Sequence, residues 1–317
     1  MKLSNKKVGT IAYTTVQGLG ILAKDFYDNG VVDKVSIQLH TSRKNNTQWY
    51  PNAVTKQELL EQCNTLLFFE TPFDWKMIPM ARERGIKTVL MPMYECTRYP
   101  FPYVPDLIIA PSMLDYDFYK EKGEANVIFI PVPVTATWKL RRKAEVFVHN
   151  AGNGGLGGRN GTEELIEAMK YVKSPIKLII RTQSIDFKCD DPRVEIERGT
   201  VHHDELYSKG DVFIFPEKFN GLSLPLQEAY ASGMLVMASN RYPMNTWLPN
   251  EPLIPVKEYR KDRISVEFDM AVIDPRDIAN TIDAWYGKDI SQLSLDGRDW
   301  AKNNSWHVLR DRYLDVL

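Results

Sequence analysis

Short apolar runs alternate with amphipathic segments along most of the chain, and nothing else in the sequence constrains the fold as much. Residues 8–13 (VGTIAY), 34–39 (KVSIQL), 65–69 (TLLFF), 88–91 (TVLM), 106–110 (DLIIA) and 127–130 read as strands. Between them, 21–28, 55–62, 78–84 and 115–122 read as helices, with Gly85 as a C-cap and Ser112 as an N-cap. The pattern then resumes. Strands are predicted at 145–149 (EVFVH), 176–180, 194–197, 212–215 and 235–238, and helices at 162–170, 204–208, 224–232 and 277–285. Repeated βα units predict an α/β fold, parallel sheets with helices on both faces. A chain of 317 residues has room for two such domains. The Pro-rich 130–134 and the charged 139–143 predict an exposed joint, giving domains at 1–136 and 137–299 and a tail at 300–317.

Charge and cysteine content remove several function classes. Forty Lys+Arg against 41 Asp+Glu give no global field for a polyanion, although Lys139, Arg141, Arg142 and Lys143 could form a local basic cleft. Cys63, Cys96 and Cys189 lie too far apart for a disulfide scaffold or a zinc ribbon, and they suit a reducing compartment. No stretch approaches the ~18 apolar residues of a membrane helix, and the polar N-terminus lacks a signal-peptide core. A soluble, cytoplasmic protein with no integral membrane segment is expected.

The most informative segment is 215–239 (FPEKFNGLSLPLQEAYASGMLVMAS). A strand ends at Pro216, a polar loop holds Asn220 and Gly221, and Ser223-Leu224-Pro225 opens a helix bearing Glu228. Free N–H groups and the positive end of the dipole favour an anion at such a helix start. Glu228, one turn inside, can accept two hydroxyls, as a ribose offers. A second segment, 149–162 (HNAGNGGLGGRNGT), is glycine-rich between a strand and a helix, which permits close backbone approach to an oxyanion. It has neither the Walker ending nor a dinucleotide fingerprint.

The first segment resembles the donor-site motif of family-4 retaining glycosyltransferases of the GT-B fold. There the motif runs E-G-F-G-L-P-L-L-E-A-M-A; here it reads N-G-L-S-L-P-L-Q-E-A-Y-A. Compact members, some phage-encoded, carry similar segments. The resemblance implies two Rossmann-like βαβ domains facing a cleft, with a C-terminal helix crossing back to the N-terminal domain. It implies that Glu228 binds the ribose of a nucleotide-diphosphate sugar, and that Gly221, Leu222, Ser223 and Leu224 line the sugar and phosphate. Asn220 stands where the family has its first Glu, so it brings hydrogen bonding without charge. Glu217 lies three residues upstream, at the wrong spacing.

Gly154 and Gly155 belong to the phosphate loop on this reading, and Arg159 aligns near the family's diphosphate-binding Lys. Arg181, ending the next strand, is a further phosphate candidate. Val201, in the loop after strand 194–197, falls where the family builds its nucleobase pocket. Gly18 and Gly20 match the glycine turn of the N-terminal domain. Glu95 lies just past a strand end, where ligands sit in open α/β sheets, and is a candidate for acceptor binding or proton handling. The tail agrees: 273–279 resembles the family's D-P-x-D-[LI]-A helix start, and Ser305-Trp306 its aromatic anchor.

No metal site is expected. His202 and His203 are neighbours that point apart, with Asp204 as an N-cap, and Asp115-Tyr116-Asp117 reads as a surface helix face. No cofactor is implied beyond the donor, for which a UDP-sugar is slightly favoured. The acceptor stays open among a glycan, a lipid-linked sugar and a modified DNA base. A nicotinamide-dependent dehydrogenase and a silent nucleotide-sugar-binding protein are the other readings; Asn220 keeps the last one open.

Overall fold

The computed structural model describes residues 7–16, 18–153, 158–202, 205–248 and 252–317. These form two compact units. The first comprises Met1–Pro133, Arg263–Glu267 and Trp306–Leu317, and the second Val134–Asp262 and Phe268–Ser305.

In the first unit six strands form one parallel sheet: β1 (Val8–Tyr13), β2 (Lys34–Gln38), β3 (Thr65–Glu70), β4 (Lys87–Pro92), β5 (Leu107–Ala110) and β6 (Val127–Phe129), in the order β2-β1-β3-β4-β5-β6. The helices are α1 (Gly18–Asp28), α2 (Lys56–Gln62), α3 (Met77–Arg82) and α4 (Met113–Glu121). A Thr55–Glu58 capping box starts α2, and Ser112 accepts from Asp115 N–H to start α4. Ile11, Leu66, Phe68 and Leu90 pack against Leu59, Ile78 and Ala81 of α2 and α3. The tail helix, labelled α9 below (Trp306–Val316), belongs to this unit. Phe26 meets Trp306 and Tyr313 edge-on, and Tyr313 Oη donates to the Ile130 carbonyl.

The second unit repeats the architecture. Strands β7 (Val146–Gly152), β8 (Lys177–Thr182), β9 (Val194–Arg198), β10 (Val212–Phe215), β11 (Leu235–Ser239) and β12 (Leu253–Ile254) form a parallel sheet in the order β12-β11-β10-β7-β8-β9. Alternate strand residues serve opposite faces. Phe147, Leu178 and Ile214 pack with Leu165 of α5 (Thr162–Ala168) and Ile278 and Ile282 of α7 (Pro275–Trp285). Val148, Phe213 and Phe215 pack with Leu226 and Ala229 of α6 (Leu224–Ala231). Helix α8 (Ser291–Asn303) runs through residue 300. Among the described residues, no helix is long and apolar enough to cross a membrane.

Four expectations need correction. Residues 206–208 form a turn after a 3-10 residue at 205, not an α-helix, and Asp204 and His203 lie outside the described residues. Segment 139–143 is exposed at Lys139, Arg142 and Lys143 but not at Arg141. Arg141 is 2% exposed, and its guanidinium donates to the carbonyls of Gly210, Tyr207 and Lys139. A guanidinium spent on three carbonyls offers nothing to a polyanion. Asp115 is not on a helix surface. It is buried, accepting from Tyr94 N–H and from Ser112, and burial followed by the nearby Glu95 charge pushes its carboxyl up to about 7. Finally, β13 (Glu258–Arg263) and β14 (Glu267–Val272) form a two-stranded sheet absent from the sequence reading. Every residue of β13 is exposed, so neither face carries the apolar stripe by which a strand is read.

Candidate functional site

Several predicted residues of the second unit meet where β7 and β10 end and α5 and α6 begin. His149 is the buried link. Its Nδ1 faces the Ile214 carbonyl at 2.9 Å, and since a carbonyl only accepts, Nδ1 carries the proton. Nε2 then accepts from Thr162 Oγ1 at 2.8 Å, tying β7 to the first turn of α5. Burial disfavours the imidazolium and pulls the pKa down to about 4.

Gly161, the α5 N-cap, has φ +70° and packs on Pro216: a Cβ there would stand 2.0 Å from the Pro216 oxygen. Only glycine permits both the left-handed conformation and that approach. Lys218 N–H donates to the Arg159 carbonyl at 2.6 Å, so the end of the glycine-rich segment runs beside the loop after β10. Arg159 is half-buried, and its charge reaches the Glu217 carboxyl. Gly154 and Gly155 lie outside the described residues.

The loop itself is held from within. Asn220 Oδ1 accepts from Ser223 N–H at 2.8 Å. Glu217 Oε2 accepts from Ser223 Oγ, and Arg241 Nη1 stands 3.5 Å from Glu217 Oε1 and donates to the Asn220 carbonyl at 3.0 Å. Burial outweighs the opposing pull of Arg241 and lifts the Glu217 carboxyl to about 7. Gly221 and Leu222 are buried, and Gln227 Nε2 fixes the Leu222 carbonyl at 2.6 Å. Leu224 opens α6 with Pro225 in its first turn.

Glu228 is half-buried one turn into α6, and its Oε2 accepts from Tyr207 Oη at 2.6 Å. The Asn150 side chain lies near the same hydroxyl. Burial, then the Glu228 charge, holds the Tyr207 phenol well above its ordinary range, so it stays a donor. Val201 is half-buried in the loop after β9.

Arg181 is not brought to this cluster as an available cation. It is 5% exposed, with Nε on Glu197 Oε2 at 2.8 Å and Nη1 on the Leu206 carbonyl. A strand-interior guanidinium needs such partners, which makes it a support for the turn carrying Tyr207.

The remaining candidates belong to the first unit. Gly18 is the first residue of α1, and a Cβ on Gly20 would lie 2.2 Å from the Thr15 oxygen. Glu95 is buried beside Asp115, and its carbonyl accepts from Ser265 N–H. Among the described residues, no three His, Cys, Asp or Glu side chains converge as metal ligands would. Tyr207, Asn150 and Arg241 escaped the sequence reading. Arg241 alone carried a signal, standing just past a strand end.

No protein-family model matches the sequence, and no curated protein matches it. Solved structures do. Sucrose-phosphate synthase from Thermosynechococcus elongatus shares 13% identity at a TM-score of 0.67, covering 98% of each chain. The lipopolysaccharide outer core galactosyltransferase WaaB, in its apo form, shares 12% identity at a TM-score of 0.65, covering 98% of this chain and 100% of that one. Anabaena HepE in complex with UDP shares 12% identity at a TM-score of 0.67, covering 98% of this chain and 99% of that one. Two six-stranded parallel sheets built from βα units, matched over nearly the full length of each of these chains, give this protein the GT-B fold of the glycosyltransferases.

Proposed function

We propose that the protein is a glycosyltransferase that moves a sugar from a nucleotide-diphosphate sugar, a UDP-sugar first among them, to an acceptor hydroxyl. One observation carries the reading: a half-buried carboxylate, Glu228, stands one turn inside a helix whose start is fixed by a buried Glu217–Ser223–Asn220 network. Glu228 accepts the ribose hydroxyls, exchanging or sharing the Tyr207 bond. Arg159 and the N–H groups of Leu222 and Leu224 take up the charge that grows on the departing diphosphate, the Ser223 N–H being spent on Asn220. Preorganised donors of this kind supply a large share of the rate, because they need no reorganisation as the charge develops. Asn220 spends Oδ1 on Ser223 and offers its amide N–H groups to a sugar hydroxyl.

Similarity to HepE, whose structures include complexes with UDP and with UDP-glucose, supports a uridine donor. Retention of configuration follows from the motif resemblance. Metal independence follows from the same resemblance and from the placement of Asp115, whose two oxygens are spent on Tyr94 and Ser112. Three free thiols suit a cytoplasmic enzyme.

The test is a thermal-shift screen of UDP-, GDP-, ADP- and CMP-linked sugars in the presence of a chelator. A ligand that binds only the folded state raises its melting point. One donor should raise it and be hydrolysed slowly to the nucleoside diphosphate, with the released sugar keeping its anomeric configuration by NMR. No shift with any donor, with or without metal, would remove the proposal.

A further inference from the structure

The proposed donor site has one assigned cation, Arg159, while a diphosphate carries more than one negative charge. Arg181 is closed off by Glu197 and the Leu206 carbonyl. We propose that Lys218 is the second phosphate-binding cation, held in reserve by Glu164 until a diphosphate displaces that carboxylate. This rests on the donor reading above.

Three observations put Lys218 at the glycine-rich segment. Its N–H donates to the Arg159 carbonyl at 2.6 Å, so the two cationic residues run side by side. Its Nζ lies 3.8 Å from where a Cβ would stand on Gly158. Its side chain is 16% exposed, which strengthens an ionic contact relative to one in bulk water. The main chain is fixed from the other side as well, since the Lys218 carbonyl accepts from Ala271 N–H at 2.8 Å. Only the side chain is left to move.

Glu164 is suited to a temporary hold. Its Oε1 accepts from Lys218 Nζ at 2.8 Å, while its Oε2 is buried with no hydrogen-bond partner among the described residues. A half-satisfied carboxylate is a weak competitor for a diphosphate with several oxygens and more charge. Both residues also line a cavity of about 320 Å³ with Arg260, Lys261, Asp262 and Met270, so neither side chain is packed in on every side.

Calorimetric titration of UDP, UMP and uridine into Lys218→Met, Glu164→Gln and the unaltered protein tests this. Methionine keeps the apolar stem and removes the charge. Lys218→Met should weaken UDP about 10- to 100-fold, the scale of one charged hydrogen bond, and leave uridine unchanged. Glu164→Gln should tighten UDP several-fold, and the double variant should match Lys218→Met. Unchanged UDP affinity in a Lys218→Met protein of normal melting temperature overturns the inference, as does equal weakening of UDP and uridine. If Lys218→Met melts early, Glu164→Gln decides: a purely structural ion pair gives no gain in UDP affinity. If the unaltered protein binds none of UDP, GDP, ADP and CDP, the donor reading fails and this inference fails with it.

Discussion

Ser223 Oγ donates a 2.7 Å hydrogen bond to Glu217 Oε2, and both side chains are withdrawn almost wholly from water. The bond joins the start of the loop after β10 to the N-cap of α6. Ser223 sits there at φ +44°, a conformation that costs a non-glycine residue about 1–2 kcal/mol. The motif of the resembling family has glycine at this place, so here a side-chain bond offsets what glycine avoids.

Ser223→Gly relieves the backbone and loses the bond, and should leave stability within about 1 kcal/mol of the unaltered protein. Glu217→Ala strands the buried Arg241 and should cost about 3–5 kcal/mol. Urea unfolding of the two variants measures both. Equal losses would mean that the carboxylate holds nothing but the serine.

Arg159→Ala and Arg181→Ala separate ligand binding from support. Arg159→Ala should weaken nucleoside diphosphate binding about tenfold or more with little change in melting temperature. Arg181→Ala removes the bonds to Glu197, which keeps Lys209, and to the Leu206 carbonyl, and should cost about 1–3 kcal/mol of stability, read by the same unfolding experiment. The reverse pattern would exchange the two roles.

Tyr207→Phe keeps the ring packed against Phe213 and removes the hydroxyl that engages Glu228. Nucleotide affinity should change by less than about tenfold, because Glu228 remains in place. Glu228→Ala should abolish most binding. Calorimetry with UDP distinguishes a ribose-binding carboxylate from one that only anchors the tyrosine, since an anchor would make the two variants alike.

Two buried groups set opposite pH slopes. Glu217 is raised from 4.5 to about 7, so its contribution is complete below pH 4.5 and is lost as pH rises through 7. His149 is lowered from 6.5 to about 4, so its contribution is complete above pH 6.5 and is lost as pH falls toward 4. Glu217→Gln should therefore remove a loss of stability that develops as pH rises from 4.5 to 7, and His149→Gln a loss that develops as pH falls from 6.5 to 4, so the two variants tilt the same stretch of the curve in opposite directions. Denaturant midpoints between pH 4 and 8 give both, and a variant that tilted the curve the other way would reverse the assigned shift.

The sequence alone determined most of the strands and helices, because period-two and period-3.6 patterning is local. It also marked Glu228, Asn220 and Arg159, which stand beside turn and cap signals that can be read within a few residues. It misread Asp115, since a carboxylate two positions from another on a helix looks the same whether it faces water or a buried N–H. It misread Arg141 and Arg181, since an arginine gives no sign of the carbonyls and carboxylate that will enclose it. Only the tertiary structure brought Tyr207 to Glu228, Arg241 to Glu217 and Lys218 to Arg159. Those pairs lie 21 or more residues apart and meet because β7, β10 and β11 are neighbours in the sheet. Strand order is set by which apolar faces pack together over the whole unit, so the partners of a polar group follow from the core and not from the polar group's own surroundings in the chain.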